Sequence, residues 1–290
     1  MKPPPFAYHA PRTLGEALAA LAEAGPDGKV LAGGQSLIPM LNMRLAAPAA
    51  LVDINRIDEL RTLSADRRGV RVGALTRHAA VERSAGVHGV QPLLRRALAH
   101  VAHPVIRNRG TVVGSLAHAD PAAELPAVLM LLGGSVRLAR HGEPDRDIPA
   151  DDFFLGPLEA ALEPGDLAVS AYFPASLPHS GTAFAEVARR HGDFALAGVA
   201  ALVTLDDDLR ISTARVACAG VGPAPVLADV TPECERRPAT SVDWAVVTRA
   251  VQDRIDPEDD IHATADYRRH LTGVLAGRAL RSAAREASHG

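Results

Sequence analysis

The chain has 290 residues, 47% of them hydrophobic, and its 31 Lys and Arg against 34 Asp and Glu leave a formal charge of −3. That length supports two or three modest domains with their own cores, while the slight acidity excludes the basic face that non-specific nucleic-acid binding needs. Cys218 and Cys234 are the only cysteines, which excludes a disulfide scaffold and a four-thiolate iron-sulfur cluster within the chain.

No apolar run approaches a membrane span, and Met1 to Phe6 lacks a secretory pattern, so the expected location is the cytoplasm. Thr13-Leu14-Gly15-Glu16 has the form of a capping box, and Leu14, Leu18 and Leu21 predict a helix ending near Gly25. Lys29 to Ala32 then reads as a short strand. It runs directly into a glycine-bearing stretch, Ala32-Gly33-Gly34-Gln35-Ser36.

Strands are predicted at Leu51 to Ile54 and Val70 to Ala74, followed by a helix capped by Thr76 and running to about Arg83. A further helix spans Pro92 to Val101. The second glycine-bearing stretch, Thr111-Val112-Val113-Gly114-Ser115, is expected to be a loop like the first. Leu125 to Leu132 predicts a buried helix, and Ser135 to Ala139 and Leu167 to Phe173 predict strands.

Pro174-Ala175-Ser176-Leu177-Pro178 has the composition of a linker. It divides the chain into residues 1–175, with subdomains of about 1–57 and 58–175, and residues 179–285. The second part begins with Ala183 to Ala188, the apolar run Phe194 to Leu205, an Asp206-Asp207-Asp208 hairpin turn and the strand Leu209 to Cys218. Helices over about Val242 to Arg254 and Ala263 to Leu280 complete an α+β domain with a three-stranded sheet.

Small residues ending in a hydroxyl let backbone N–H groups come close to a phosphate, so two such stretches suit the two sides of a pyrophosphate. Tight turns would use the same residues. Commoner nucleotide motifs fail: Gly220-Val221-Gly222-Pro223-Ala224-Pro225 has prolines where a Rossmann helix should begin, and Gly28-Lys29 lacks the upstream Gly of a Walker loop. Gly34-Gln35-Ser36 is half a hydrolase elbow, ended by Ile38.

The first stretch continues as Leu37-Ile38-Pro39-Met40-Leu41-Asn42-Met43-Arg44, and the second is followed by Leu116-Ala117-His118-Ala119-Asp120-Pro121-Ala122-Ala123-Glu124-Leu125-Pro126. On these motifs the chain resembles the FAD-binding medium subunits of molybdenum hydroxylases, the family of carbon monoxide dehydrogenase, xanthine dehydrogenase and bacterial dehydrogenases of N-heterocycles. The resemblance runs from about Pro5 to about Leu280. It implies an FAD-binding domain of the vanillyl-alcohol-oxidase type, followed by a smaller α+β flavoprotein domain.

The resemblance further implies non-covalent FAD, with its pyrophosphate between Ala32, Gly33, Gly34, Gln35, Ser36 and Leu37 on one side and Thr111, Val112, Val113, Gly114 and Ser115 on the other. Relatives usually carry Gly-Gly where this chain has Val113-Gly114. Asp120 and Glu124, which beside His118 also look like a metal cluster, are placed by the resemblance along the flavin ribityl chain. Phe194, after Gly192-Asp193, falls where relatives set an aromatic residue near the isoalloxazine; an ordinary strand core position is the other reading.

No catalytic acid, base or nucleophile and no metal site is implied for this chain. Iron-sulfur clusters and molybdopterin are expected on a small and a large partner subunit, in a dimer of heterotrimers. The function implied is electron transfer from those clusters to FAD and on to an external acceptor; a stand-alone FAD-dependent oxidase is the alternative.

Overall fold

Thr13 opens the first helix in the computed structural model, which describes residues 2–289, and its hydroxyl accepts from the Glu16 amide at 3.2 Å. The Glu16 carboxylate reaches the Arg12 amide at 2.8 Å, one residue before the place a capping box uses. β1 (Ala7–His9), α1 (Leu14–Ala24), β2 (Gly28–Leu31), α2 (Leu37–Met43) and β3 (Ala50–Asp53) form the first subdomain. Its sheet is parallel, in the order β1-β3-β2, and α1 packs on it through Ala17 and Leu21.

The chain then forms β4 (Leu63–Ala65) and β5 (Gly69–Gly73) and crosses a helical region. That region holds α3 (His78–Arg83), α4 (Ala85–Val90), α5 (Pro92–Leu98), α6 (Pro104–Arg107), α7 (Val112–His118) and α8 (Glu124–Leu132). β6 (Ser135–Ala139), β7 (Arg146–Pro149), α9 (Ala150–Phe153), β8 (Phe154–Gly156), β9 (Glu159–Ala160) and β10 (Leu167–Pro174) complete it. The main sheet is antiparallel, in the order β4-β5-β10-β6-β7.

Thr76 does not cap α3. Its hydroxyl instead donates to the Thr62 carbonyl at 2.7 Å, and Arg77 stands at the cap position without a side-chain capping bond. Threonine bonds a distant carbonyl as readily as a nearby amide, so tertiary geometry decides its use.

The remaining residues form β11 (Ser180–Ala188), β12 (Ala195–Leu205), β13 (Ile211–Ala219), β14 (Val226–Asp229), α10 (Trp244–Gln252) and α11 (Ala265–Ala287). The sheet has four strands in the order β11-β12-β13-β14, where the sequence predicts three. β14 is short and follows Pro223 and Pro225, which hide its pattern. The Asp206 carboxylate accepts from the amides of Asp208 and Arg210, so the acidic turn is a hydrogen-bonded hairpin.

β12 is buried along nearly its whole length because both faces of its sheet are covered. On one side Val199, Ala201 and Val203 join the core under α10 and α11. On the other, Ala200, Leu202, Ala217 and Ala219 continue the core that contains Leu125, Val128 and Leu129 of α8. Arg96 of α5 ties the same seam, donating to Thr182 Oγ1 at 2.7 Å and to the Glu286 carboxylate at 2.6 and 2.9 Å. Among the described residues no helix is long and apolar enough to cross a membrane.

Candidate functional site

β2 delivers the chain into its first glycine-bearing stretch, where Gly34 adopts φ 71°, a left-handed turn that a side chain would strain. The Gln35 side chain folds back onto the Gly33 carbonyl at 3.0 Å. The amides of Gly33, Gly34, Gln35, Ser36 and Leu37 donate to no group among the described residues. Successive unpaired amides around a left-handed residue make a concavity suited to an anion.

The second stretch is not a loop. Thr111 is the N-cap of α7, its hydroxyl accepting from the Gly114 amide at 3.1 Å. The Val112 amide donates to the Thr76 carbonyl at 3.3 Å, and that of Ser115 to the Thr111 carbonyl at 3.0 Å. Val113 alone of residues 112–115 keeps an unengaged amide. A Cβ on Gly114 would stand 2.6 Å from Thr111 Oγ1, so the cap itself requires glycine there.

Val113 has ordinary helical backbone, and its side chain is packed into the core. Glycine is therefore not needed at that position. The first stretch meets the backbone that leads into the second: a Cβ on Gly33 would strike the Arg109 carbonyl oxygen and lie 2.8 Å from the Gly110 Cα.

Between them opens a cavity of about 540 Å³, within the range of small-molecule sites. Ala32, Gly33, Gly34, Gln35, Ser36, Leu37, Thr111, Val113, Gly114, Ser115, Asp120, Glu124 and Phe194 all line it. Val112 does not. Its side chain is fully buried in the core and its amide is spent on Thr76, which removes it from the wall.

Phe194 lies just before β12 and is 67% exposed, so it is not a strand core residue. The turn that carries it is seated on the first domain, because a Cβ on Gly192 would lie 2.9 Å from the Ala102 carbonyl oxygen and from His103 Cε1. An exposed phenyl ring at the rim can cover a flat ligand.

Glu124 begins α8, and burial, then the nearby Asp120 charge, push its carboxyl up to about 7. Glu186 is pushed up to about 8 by burial and then by Glu124, with His100 Nδ1 3.8 Å from its Oε1. The cavity wall therefore holds at Glu124 a carboxyl near its midpoint at neutral pH rather than a fixed anion, with Glu186 behind it, outside the lining. His78 also lines the cavity; burial lowers it to about 4, leaving it neutral, and neither ring nitrogen has a hydrogen-bond partner.

Sequence reasoning missed His78, Ala102 and Leu158, whose contribution depends on chain crossings that no spacing reports. Lys29 lines the cavity, whereas Arg44 is the left-handed C-cap of α2, at φ 59°, and is absent from the wall. The donor set suits a dinucleotide: amides for a diphosphate, apolar walls for flat rings, and two backbones too close for any side chain between them.

The family described as FAD binding domain in molybdopterin dehydrogenase matches residues 4–176, and the CO dehydrogenase flavoprotein C-terminal domain matches residues 182–283. The chain belongs to the FAD-binding molybdopterin dehydrogenase family. Within that family it is 41% identical to the 6-hydroxypseudooxynicotine dehydrogenase complex subunit alpha of Paenarthrobacter nicotinovorans, over 98% of this chain and 96% of the relative. Caffeine dehydrogenase subunit beta of Pseudomonas sp. (strain CBB1) is 37% identical over 100% of this chain and 98% of its own.

Among solved members, a carbon monoxide dehydrogenase chain from Hydrogenophaga pseudoflava superposes with a TM-score of 0.92 at 36% identity, covering 98% of both chains. A chain of quinoline 2-oxidoreductase from Pseudomonas putida 86 gives 0.91 at 34% identity and covers 99% of both. These family relationships make the chain an oxidoreductase subunit with the α+β, two-part architecture described above.

Proposed function

We propose that this chain is the FAD-binding electron-transfer subunit of a molybdopterin-dependent dehydrogenase. In this reading it receives electrons from the iron-sulfur clusters of a small partner and passes them to an external acceptor, while a large molybdopterin subunit oxidises the substrate. The observation that carries the reading is the run of unpaired amides from Gly33 to Leu37, set against the backbone of the second stretch in a cavity rimmed by Phe194. A dimer of heterotrimers is the assembly we assign to it.

Bound in that cavity, FAD would supply the one- and two-electron chemistry that no side chain of the protein offers. The residues contribute binding and orientation. Gly33, Gly34, Gln35, Ser36 and Leu37 direct N–H groups toward a diphosphate; Thr111, Val113, Gly114 and Ser115 close the opposite wall. Asp120 and Glu124 offer oxygens to ribityl hydroxyls, and Phe194 shields the ring system from water. Residues 1–175 hold most of this site, and residues 179–285 add the aromatic rim.

The purified chain is expected to carry one acid-releasable FAD with visible flavin absorbance, and to co-purify with both partners when they are co-expressed. A colourless chain that takes up no added FAD overturns the reading. A stable monomer that oxidises a small molecule unaided would favour a stand-alone oxidase instead.

A further inference from the structure

A polar bridge made by residues outside both motifs joins the first stretch to the turn that leads into the second. Asn55 Nδ2 donates to the Ala32 carbonyl at 2.7 Å, and Asn55 Oδ1 accepts from Arg77 Nη2 at 2.7 Å. Arg77 Nη1 donates to the Arg109 carbonyl, the same oxygen that lies against Gly33. One guanidinium fork thus spans from the first stretch, through Asn55, to the second.

Both members are fixed from behind. Asp53 Oδ1 accepts from the Asn55 amide at 2.9 Å and from Nδ2 at 2.7 Å, and Asp53 Oδ2 accepts from the Tyr8 hydroxyl at 2.6 Å. The Arg77 backbone is stitched to the second stretch on either side, through His78 N to the Gly110 carbonyl at 3.0 Å and Val112 N to the Thr76 carbonyl at 3.3 Å.

The charge at this seam has no ion-pair partner. Arg77 has no ion pair among the described residues, and Asp53, whose charge does reach it, is already engaged by Tyr8 and Asn55. Arg61 and Arg109 add like charges nearby, and the Arg77 pKa is lowered by burial and then by these two. Holding a half-buried cation among other cations costs stability. Neither Arg77 nor Asn55 lines the cavity, so a dianionic ligand there would offset part of that cost through space, across the Ala32 and Arg109 carbonyls, rather than by contact.

We propose that Arg77, positioned by Asn55, clamps the two stretches in register and supplies the positive potential that selects a diphosphate. The inference rests on the FAD reading above and makes Arg77 a positioning residue outside both motifs.

The test uses the full chain freed of flavin, titrated calorimetrically with FAD, with ADP as a diphosphate lacking flavin, and with riboflavin as a flavin lacking phosphate. Arg77→Met is expected to weaken FAD and ADP by at least about tenfold, the scale of one lost half-buried charge acting through space on a dianion, while changing riboflavin by less than about twofold. Its salt dependence should flatten. Arg77→Lys should recover part of the loss, since an ammonium keeps the charge without the two-point fork. Adding Asn55→Ala to Arg77→Met should cost less than the sum of the singles.

FAD and ADP affinities in Arg77→Met within about twofold of the parent would overturn the proposal, as would equal losses for all three probes, the sign of general loosening. If Arg77→Met does not fold, the same criteria apply to Arg77→Lys. A parent chain that binds riboflavin and ADP but not FAD would instead defeat the FAD reading.

Discussion

The two glycine-bearing stretches look alike in sequence and behave differently in the fold. The first leaves five consecutive amides without acceptors around a left-handed Gly34, so it is a donor surface. The second begins a helix, spends the Val112, Gly114 and Ser115 amides internally, and buries Val112 and Val113 in the core, so it is a wall. Glycine serves each for a different reason: close approach and positive φ in one, room for a threonine cap in the other. A motif pairing small residues with serine thus reports that backbones come near something, and its surroundings decide whether that is a ligand.

The sharpest way to break this comparison is Gly33→Ala. Its methyl would meet the Arg109 carbonyl oxygen, so the two halves must part; we expect a loss of about 2–3 kcal/mol in denaturant unfolding and no measurable FAD retention. Retained stability would mean the halves slide freely. A smaller effect should separate donor surface from wall. Ser36→Asp places charge beside five free amides' ligand and should weaken FAD by about tenfold or more, whereas Ser115→Asp on the wall should cost about threefold. Equal losses in a fluorescence titration would erase the distinction.

A separate test of the cavity wall concerns pH. Because the Glu124 carboxyl is raised from 4.5 to about 7, the folded chain keeps a proton that the unfolded chain has released between those values. Stability therefore falls as pH rises through that window. Glu124→Gln should flatten this slope by about 2.5 kcal/mol between pH 5 and 8, read from urea midpoints. An unchanged slope would assign the proton elsewhere, with Glu186 the next carboxyl to replace.

Much of this was legible in the sequence where local rules coincide with tertiary ones. Thr13 caps its helix, Gly33 and Gly34 mark a close approach, and the apolar run ending at Leu205 is a strand. The second stretch was misread as a loop because Gly, Ser and Ala masked helical spacing at Val112, Val113 and Leu116, with no acidic residue at the third helical position to complete a box. Thr76 was misread because its hydroxyl bonds across the sheet. Asn55 has a local partner in Asp53, but its bonds to Ala32 and Arg77, and that of Arg77 to Arg109, span 22 to 32 residues, and only folding brings the three segments together.

Phe194 reaches the cavity from the C-terminal domain on a turn seated against Ala102 and His103, while Gly220 N donates to the Pro121 carbonyl at 2.8 Å across the same boundary. An occupant of the cavity would therefore touch both domains at once. Its binding free energy would act as a reversible cross-link, drawing two cores with separate helices into a single melting unit and making the cooperativity of unfolding rise with ligand concentration. In such a molecule the cofactor is also part of the architecture.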